Sequence, residues 1–490
     1  MVVRVNRRRR SRKELGRAIG KVAVTVKGGS ELAGDRQQQW DDVPAAVQHW
    51  LRRGLNPTVA PPQSVMTPHS REELAEIMAI AHREQWRVMP MGAGTKLGWG
   101  RGRSHIDLVV RCDRLNQVVE QDPGDLTISV EAGMTLGTLQ QELAKHGQFL
   151  PVDPSYPDQA TLGGIVATAD SGSLRQGYGG VRDMLLGIEF VRHDGQRSRA
   201  GGKVVKNVAG YDLMKLFTGA YGTLGLISRL TWRVYPIPES WQTIVLAGSL
   251  DALVKLNGQI LGSSLTPIAW EWTLMPATAD IPAPLSTLAT GHPCLVGRFA
   301  SVSASTQAQV AAVTQQAIAL GLTVQSFMDE QDSQFWQQYS QAIAPPQSPE
   351  TYSNGNSSDR PIKLGILSTA APQLIQTLQT QRPDAILQLR AGSGVGRLRL
   401  SGSNAGNAID QGTDNSHNGD DGGNTDLALL KQLRNTCQTQ HGFLSLLDAP
   451  SSLKSQFDPW GQSRPPNPMA IALRQTFDPQ GLINPNCFVV

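Results

Sequence analysis

Two helices can be read from apolar residues that recur every three or four positions. The sequence Ser70-Arg71-Glu72-Glu73 is a capping box, and the apolar residues from Leu74 to Ala81 follow it at helical spacing. A second helix is predicted over Thr135–His146, whose leucines share one face, with Gly147 at its C-cap. Mixed polar and apolar character over Trp40–Leu51 predicts a short helix before both of them.

Apolar residues that alternate with polar ones predict strands in both halves of the chain. In the first half the pattern is clearest in four segments: Arg87–Met91, Leu126–Val130, Ile188–His193 with the turn dipeptide Asp194-Gly195 after it, and Leu226–Tyr235. In the second half it predicts four more, with a helix between the first two: Ile362–Leu367, Ala385–Leu389, Arg397–Leu400 and Phe443–Leu447. Strands and helices mix there without a βαβ rhythm, which favours an α+β arrangement.

The chain of 490 residues is long enough for two or three domains. Pro236 and Pro238 end the last regular strand of the first half, so we place a domain boundary at 238. The expected units are a tail with a short helix over 1–55, a first domain over 56–238 and an α+β domain over 239–490. Two polar inserts, at about 344–360 and 401–424, contain too few apolar residues to pack and are predicted to be disordered.

The charge of the chain is concentrated in its first residues. The formal net charge is +4, and the run Arg7-Arg8-Arg9-Arg10 with its basic neighbours carries more than this excess. A nucleic-acid protein needs a basic face on a folded domain, usually with aromatic residues, and this tail has none. We therefore expect no nucleic-acid partner and a disordered tail, with a basic arm that touches a membrane or nucleic acid as the alternative.

The remaining composition limits location and metal chemistry. No apolar stretch of about 18 residues is present, so we expect no transmembrane segment. The four cysteines are far apart and form no Cys-x-x-Cys pair, which argues against an iron–sulfur cluster held by this chain alone. The simplest interpretation is four reduced thiols in a cytoplasmic protein that holds no metal.

The first candidate binding loop follows a predicted strand and reads Pro90-Met91-Gly92-Ala93-Gly94-Thr95-Lys96. Its glycines let successive main-chain N–H groups converge into an anion site, to which Thr95 can add a hydroxyl and Lys96 a charge. Leu97 follows the lysine where a Walker A loop requires Ser or Thr, and it also stands where the Rossmann fingerprint has its third glycine.

Two further segments have the composition of binding loops. The longer one runs from Asp153 to Gly172, and its candidate binding residues are Pro154, Thr161, Gly163, Gly164, Ser171 and Gly172. The glycine pair would let a flat ligand approach the main chain, and the hydroxyls would supply donors. The third segment, Gly222-Thr223-Leu224-Gly225-Leu226-Ile227, leads into the last predicted strand, and its candidates are Gly222, Gly225 and Ile227.

These three segments, in this order, resemble the PCMH-type FAD-binding domain of the vanillyl-alcohol oxidase family over roughly Asn56 to Pro238. The resemblance implies a first domain of two α/β subdomains, followed by a cap domain. It also implies that the loop at Gly92 and the Thr-Leu-Gly-Gly segment bracket the FAD pyrophosphate, and that the main chain of Ile227 contacts the adenine end. No histidine lies in the first loop, so we expect FAD to be bound non-covalently.

A closer resemblance rests on two other stretches. The sequence Gly201–Leu213, with Tyr178–Asp183 before it, is similar to the FAD-binding E subunit of glycolate oxidase, and Phe477–Pro485 resembles the closing signature of the same family. The implied activity is oxidation of 2-hydroxy acids such as glycolate within a complex. The implied partners are a homologous catalytic FAD subunit and an iron–sulfur subunit, through which the chain would be peripheral to a membrane.

The chain departs from its catalytic relatives in the cap. Those relatives carry a His-x-Gly-Asp-Gly-Asn motif, and the nearest counterpart here is Arg390-Ala391-Gly392-Ser393-Gly394, without a histidine. Oxidation of a hydroxyacid needs a group that takes the hydroxyl proton, and the sequence offers no clear base. The catalytic residues therefore stay unassigned, and the isolated histidines have no metal-ligand spacing. Lys206, Tyr211 and Asp212 are possible neighbours of the flavin.

Three functions remain open from the sequence. The first is an auxiliary FAD subunit of a glycolate oxidase or dehydrogenase complex. The second is a stand-alone FAD-dependent oxidoreductase of a hydroxyacid or alcohol. The third is a binding subunit that has lost the flavin, which the intact glycine segments disfavour.

Overall fold

The computed structural model describes residues 37–56, 58–103, 105–203, 210–277, 282–344, 359–401, 421–461 and 467–487. Most of the predicted tail and of both predicted inserts lies outside these ranges, and so does Lys206. Their predicted disorder stays a prediction. The chain is mixed helix and sheet, as the sequence predicts.

The described strands of the first half form three sheets. They are β1 (Gln37–Gln39), β2 (Ser64–Met66), β3 (Val88–Met91), β4 (Leu108–Arg111), β5 (Val118–Asp122), β6 (Thr127–Glu131), β7 (Gln148–Phe149), β8 (Leu185–Val191), β9 (Arg197–Gly201), β10 (Leu226–Arg233) and β11 (Tyr235–Pro236). The first sheet has the order β1-β2-β4-β3 and pairs β4 in parallel with both β2 and β3. The second is antiparallel, in the order β5-β6-β10-β8-β9, and β7 pairs with β11.

One helix of the first half begins at the capping box that the sequence predicts. The Ser70 hydroxyl accepts the N–H of Glu73 at 3.1 Å, and the Glu73 carboxylate accepts the N–H of His69 at 2.9 Å. Thr135 caps the second predicted helix through the N–H of Thr138. The helices are Ala45–Gly54, Arg71–Arg83, Leu136–Ala144, Leu162–Thr168, Arg175–Tyr178, Val181–Met184 and Leu213–Phe217.

One predicted loop is in part a helix. The segment from Thr161 to Gly172 is interpreted from its glycines as a loop, but Leu162–Thr168 is helical. The Thr161 hydroxyl accepts the N–H of Gly164 and supplies an N-cap, while Leu162, Ile165 and Val166 are buried and hold the helix against the core. Capping and apolar packing therefore outweigh the low helix propensity of the two glycines.

The described strands of the second half form one antiparallel sheet of eight strands. They are β12 (Ser240–Ala247), β13 (Ala269–Leu274), β14 (Cys294–Ser301), β15 (Thr323–Met328), β16 (Arg360–Gly365), β17 (Ile386–Arg390), β18 (Val395–Leu400) and β19 (Phe443–Leu446). Their order is β15-β12-β14-β13-β17-β18-β16-β19. The helices are Leu250–Leu261, Ser303–Ala319, Asp329–Ile343, Ala371–Gln381, Asp421–Thr439, Ser451–Gln456 and Pro468–Phe477. The predicted strands here are confirmed, and the helix between β16 and β17 is present.

The two faces of this sheet differ in polarity. Trp272, Leu389 and Leu398 point to one face and belong to a large buried cluster with the covering helices. The residues next to each of these three along its own strand point to the other face, because successive side chains of a strand lie on opposite faces of the sheet. The cross-strand register places Lys363 beside Arg397, Arg397 beside Gln388, and Arg390 beside Glu271 on that second face. The cap thus presents a polar strip towards the first half of the chain.

The end of the chain returns to the first sheet. The N–H of Val88 donates to the Leu482 carbonyl at 2.8 Å, and the N–H of Asn484 donates to the Val88 carbonyl at 2.7 Å. The Asp478 carboxylate, 2% exposed, accepts the N–H groups of Leu482 and Ile483 and fixes this turn. A domain boundary at 238 would place this last segment in the cap domain. The hydrogen bonds of Leu482 and Asn484 are instead to Val88 of β3.

We expect the core of the cap to be sensitive to truncation. Replacing Leu389, which is fully buried, by Ala should lower the free energy of unfolding by about 2–5 kcal/mol, because the lost contacts leave a cavity. The measurement is the midpoint and slope of urea denaturation. Leu261→Ala is the matched control, since Leu261 is 44% exposed, and it should change the free energy by less than about 0.5 kcal/mol. Equal effects of the two substitutions would contradict the packing described.

Candidate functional site

A cleft in the first half is lined by all three predicted binding segments. The residues from Pro90 to Lys96 form one wall, Thr161, Gly163 and Gly164 a second, and Gly222, Gly225 and Ile227 a third. The first two walls touch, because a methyl group added at Gly92 would lie 2.1 Å from the Thr161 hydroxyl. The structure therefore brings together three segments that are far apart in the sequence.

The first loop supplies main-chain donors to this cleft. Among the described residues, none accepts a hydrogen bond from the N–H groups of Gly92, Ala93 or Gly94. Gly94 has φ of +89°, a value that side chains disfavour, and this bend turns the loop back on itself. Consecutive unpaired N–H groups in a bent loop form a concavity that suits an anion such as a phosphate.

The second segment lines the cleft with glycines whose N–H groups already have partners. The N–H groups of Leu162, Gly163 and Gly164 already donate to the Met134 carbonyl, the Ala132 carbonyl and the Thr161 hydroxyl. A methyl group at Gly163 would lie 3.1 Å from Ala132, so a larger residue would push this helix away from its neighbour. The glycine pair therefore provides a flat wall more than it provides donors.

The third wall is held in place by the end of the chain. The Asn484 amide donates to the Tyr221 carbonyl at 2.6 Å, and its oxygen accepts from Arg103 at 2.9 Å. Tyr221 and Gly222 both have positive φ, so the turn before β10 is tight. Arg103, Tyr221 and Asn484 all line the cleft. The closing signature near Pro485 thus shapes the site, a role that the sequence alone does not reveal.

The remaining predicted residues lie where the first half meets the cap. Pro154 and Gly172 line a second cleft of about 860 Å³, which Arg298, Trp336 and Gln388 of the cap close from the other side. Ser171 and Gly172 also line a smaller polar pocket next to it. The segment from Asp170 to Leu174 therefore connects the glycine-lined cleft to the cap.

Asp170 is the electrostatic centre of this junction. Its carboxylate, 3% exposed, pairs with Lys96 at 3.2 Å, with Arg397 of the cap, and with the N–H of Ser155 at 2.9 Å. Burial by itself would raise the pKa of this carboxyl, but Arg397 and Lys96 lower it below the usual value. Burial lowers the pKa of Lys96, and Asp170 opposes this shift. The ion pairs therefore hold the first loop, the second segment and the cap together.

A second set of contacts binds the same segment to the polar strip. Arg390 donates to the Gly172 carbonyl at 2.8 Å, and Arg397 donates to the Ser171 carbonyl at 3.3 Å. The Glu271 carboxylate accepts from the Ser173 hydroxyl at 3.0 Å, and its pKa is raised by burial. The counterpart of the missing histidine motif is therefore an arginine that bridges the two halves.

Lys363 faces the smaller pocket from β16. Among the described residues, no acceptor lies within hydrogen-bond or ion-pair distance of its ammonium, and it is only partly exposed. Burial lowers its pKa to about 8, with Asp170 opposing the shift and Arg397, Arg390 and Arg175 adding to it. The sequence predicts a strand here but gives no sign that its single lysine points into a pocket.

The structure does not bring the predicted flavin neighbours into these clefts. Tyr211 is 89% exposed, and Asp212 is exposed as well. Neither lines the cleft or the junction pockets, because the short helix that follows them buries Met214 and Phe217 instead. Within the described part of the chain, no helix is long and apolar enough to cross a membrane, and no group of three histidine, cysteine, aspartate or glutamate side chains could hold a metal ion.

Sequence comparison identifies the first half. Residues 62–201 match the family model described as an FAD binding domain. The chain is 33% identical over 217 residues to glycolate oxidase subunit GlcD of Bacillus subtilis, a match that covers 44% of this chain and 46% of the relative. It is 35% identical over 207 residues to subunit GlcE of Escherichia coli, covering 42% and 55%. The matches thus span about half the length of these curated relatives.

Comparison of folds extends over almost the whole chain. The structure of p-cresol methylhydroxylase with substrate bound superposes with a TM-score of 0.66 at 15% identity, covering 97% of both chains. An alkyldihydroxyacetonephosphate synthase gives 0.66 at 16% identity over 99% of this chain and 86% of that one. At such identities the likeness establishes the fold only.

The fold is that of PCMH-type flavoproteins, and residues 62–201 match an FAD binding domain. More particularly, the chain carries the FAD-binding domain that glycolate oxidase subunits share, as the resemblance of its glycine segments predicts. The cleft fits the cofactor, because it combines unpaired N–H groups, glycines without side chains and apolar walls at Met91, Ala132 and Ile227.

We expect a methyl group at Gly92 to weaken FAD binding. It would collide with Thr161 at the point where the first two walls meet, so Gly92→Ala should raise the dissociation constant at least about tenfold, roughly 1.4 kcal/mol. Titration of the apoprotein with FAD, followed by flavin fluorescence, measures the change. Gly258→Ala is the control, because a methyl group there meets nothing within 4 Å. Equal affinity of the two variants would contradict this assignment of the cleft.

Proposed function

We propose that this chain binds FAD non-covalently and oxidises 2-hydroxy acids such as glycolate to 2-oxo acids, as a flavin subunit of a glycolate oxidase-type complex. The observation that carries the proposal is the glycine-lined cleft, whose three walls come from the three segments that resemble FAD-binding loops. The relatives named glycolate oxidase subunit support the choice of substrate class.

The cleft residues would divide the work of holding the cofactor. The N–H groups from Gly92 to Gly94 would face the phosphates, the wall at Gly163 and Gly164 would lie flat against the ligand, and Ile227 would lie at the adenine end. When bound, FAD supplies a two-electron acceptor that takes a hydride from the substrate carbon. The protein contributes orientation, exclusion of water and the handling of charge and protons.

Support for non-covalent binding comes from the groups along the cleft. No histidine is among its described lining residues, and Cys112 is the one thiol there. Burial raises the pKa of Cys112 to about 12, so its reactive thiolate form is scarce at neutral pH. Tyr221 also lines the cleft, and burial raises the pKa of its hydroxyl well above the usual value, so neither described group is a ready nucleophile for a covalent link to the flavin.

The pocket under the cap measures about 10 Å³, which is room for about one water molecule. Arg390, Arg397 and Lys363 line it, and so do the carboxylates of Asp170 and Glu271. This pocket therefore does not favour oxidation within this chain, as a stand-alone oxidoreductase, over the auxiliary role.

The partners that we propose are a homologous catalytic FAD subunit and an iron–sulfur subunit. Both GlcD and GlcE are among the relatives, which supports a complex of related flavin subunits. The auxiliary role predicted from the sequence would require the acid to be oxidised by the homologous subunit. Contact with a membrane would then come through the partners.

A visible spectrum tests cofactor and catalysis together. The purified chain should show flavin absorption, and acid precipitation should release the FAD into the supernatant. Anaerobic addition of glycolate or D-lactate should bleach the flavin within seconds if this chain oxidises the acid. A yellow chain that no 2-hydroxy acid bleaches would assign it the auxiliary role, and a chain that stays colourless after refolding with FAD would contradict the proposal.

Co-purification tests the complex. A tagged chain that is co-expressed with a homologous FAD subunit and an iron–sulfur subunit should retain both through size-exclusion chromatography. The control is the same co-expression with the tag on an unrelated flavoprotein. Retention of neither partner would exclude the subunit role and leave the stand-alone enzyme.

A further inference from the structure

We propose that two copies of this chain associate through the outer strand β15 of the cap, so that the eight-stranded sheets of the two copies join into one. The inference goes beyond the proposed function, because it requires neither FAD nor a substrate. It rests on the hydrogen bonding, the charge and the exposure of Thr323–Met328, compared with the other outer strands of the molecule.

The main chain of β15 is paired along one side only. It pairs with β12 over its whole length, from Thr323 opposite Ala247 to Met328 opposite Gln242. Among the described residues, no other segment donates to or accepts from the main chain of this strand. The N–H and C=O groups on its outer side are therefore available to a further strand.

Other outer strands of the larger sheets are protected against such pairing. β5 carries Glu120 and β9 carries Arg197, and charged side chains of this kind discourage pairing at a sheet edge. At the far end of the cap sheet, the N–H of Leu446 in β19 donates to the Pro459 carbonyl at 2.8 Å, so a second segment already contacts that edge. β15 contains no charged residue and no proline.

The neutral character of β15 extends well beyond the strand. The stretch from Phe299 to Met328 includes no Asp, Glu, Lys or Arg, although such residues make up 18% of the chain. It contains the helix Ser303–Ala319, which packs against β12 and β15. Three of its apolar side chains are exposed: Val302 by 57%, Ile318 by 63% and Met328 by 50%. Because two identical surfaces of one charge repel each other, a neutral surface suits a second copy of itself.

The charges that flank β15 favour an antiparallel arrangement of the two copies. Asp329 and Glu330 follow the strand directly and are exposed. A two-fold axis perpendicular to the sheet would pair Gln325 or Ser326 with its own copy. It would also place Asp329 opposite the uncharged residues 321–323 of the other chain, whereas parallel strands would bring the two acidic ends together. Charge therefore selects the symmetric arrangement.

The helix Asp329–Ile343 is compatible with this junction. It packs against β12 and β15, with Phe335 and Tyr339 buried against Val245. Strands lie about 4.8 Å apart, so in the joined sheet this helix would lie roughly 10 Å from its copy, close to the usual distance between packed helices. After Asp332, which pairs with Arg298, the helix contains no charged residue. The junction would thus combine strand pairing with a neutral helix contact.

Sedimentation velocity of the FAD-loaded full chain over about 0.1–50 µM tests the association. We expect a monomer–dimer equilibrium that shifts towards the dimer as the concentration rises. It should not weaken in about 1 M salt, because no ion pairs hold this contact. A monomer at every concentration would overturn the proposal, whatever other part of the chain then covers β15.

Charge variants at Ser326 test the position of the contact. Ser326→Lys and Ser326→Glu each place like charges close together across the axis, so each should raise the dissociation constant of the dimer at least about tenfold. An equimolar mixture of the two variants should form a heterodimer, because opposite charges then meet. Ser264→Lys, at an exposed position outside this surface, is the matched control and should dimerise as the wild type does. A dimer that Ser326→Lys leaves unchanged would overturn the proposal.

Introduced cysteines test the register. The four native cysteines are buried, so Gln325→Cys and Ser326→Cys each add an exposed thiol. Mild oxidation should link two chains through a disulfide at one or both of these positions, as seen by non-reducing gel electrophoresis. Ser264→Cys is the control and should stay unlinked. A chain that sediments as a dimer but is linked at neither position would place the contact elsewhere and overturn the proposal.

These outcomes are distinct from those that test the proposed function. A chain that binds no flavin but dimerises through β15 would leave this inference standing. A yellow chain that stays a monomer would overturn the inference and leave the proposed function unaffected.

Discussion

The buried carboxylate of Asp170 is the interaction on which the arrangement of the site depends. It accepts from the Ser155 N–H and pairs with Lys96 of the first loop and Arg397 of the cap. A charge at 3% exposure is expensive to desolvate, on the order of several kcal/mol, unless partners surround it. Asp170 therefore requires the loop, the second segment and the cap to be in place at the same time. The cofactor cleft and the pocket under the cap are coupled through this one group.

This coupling explains why the cap carries a polar face. A sheet covered on both faces usually buries apolar side chains on each, yet here Glu271, Gln388 and Arg390 are buried between the two halves. Each has partners across the junction, in contacts with Gly172 and Ser173. The polar strip is thus the interface through which the cap contacts the segment from Asp170 to Leu174. Lys363 lies in the same strip without such a partner, which makes it the exception in a set of otherwise structural side chains.

Much of this could be predicted from local patterns in the sequence. The alternation of Leu387, Leu389 and Leu398 with polar residues indicates the strands of the cap and also which residues share a face. Glycines at Gly92 and Gly94 after a strand indicate an anion-binding loop, and in the structure both residues line the cleft. The helix at Leu162–Thr168 could not be predicted from local patterns. Its two glycines disfavour a helix, and the threonine cap and the buried apolar contacts outweigh them. The exposure of Tyr211 follows from packing at Met214 and Phe217 that no local pattern expresses.

The contacts that could not be predicted are those between residues far apart in the sequence. Asn484 donates to the Tyr221 carbonyl 263 residues away, and Arg397 reaches Asp170 across 227 residues. A single sequence shows which residue types are present, but it does not show which distant residues contact each other. The missing histidine motif illustrates the consequence: the sequence at Arg390 indicates a lost catalytic group, whereas the sheet register places a lysine from another strand beside the same pocket. Loss of a motif therefore shows that the familiar residue is absent, and only the three-dimensional arrangement shows which other residues lie around its position.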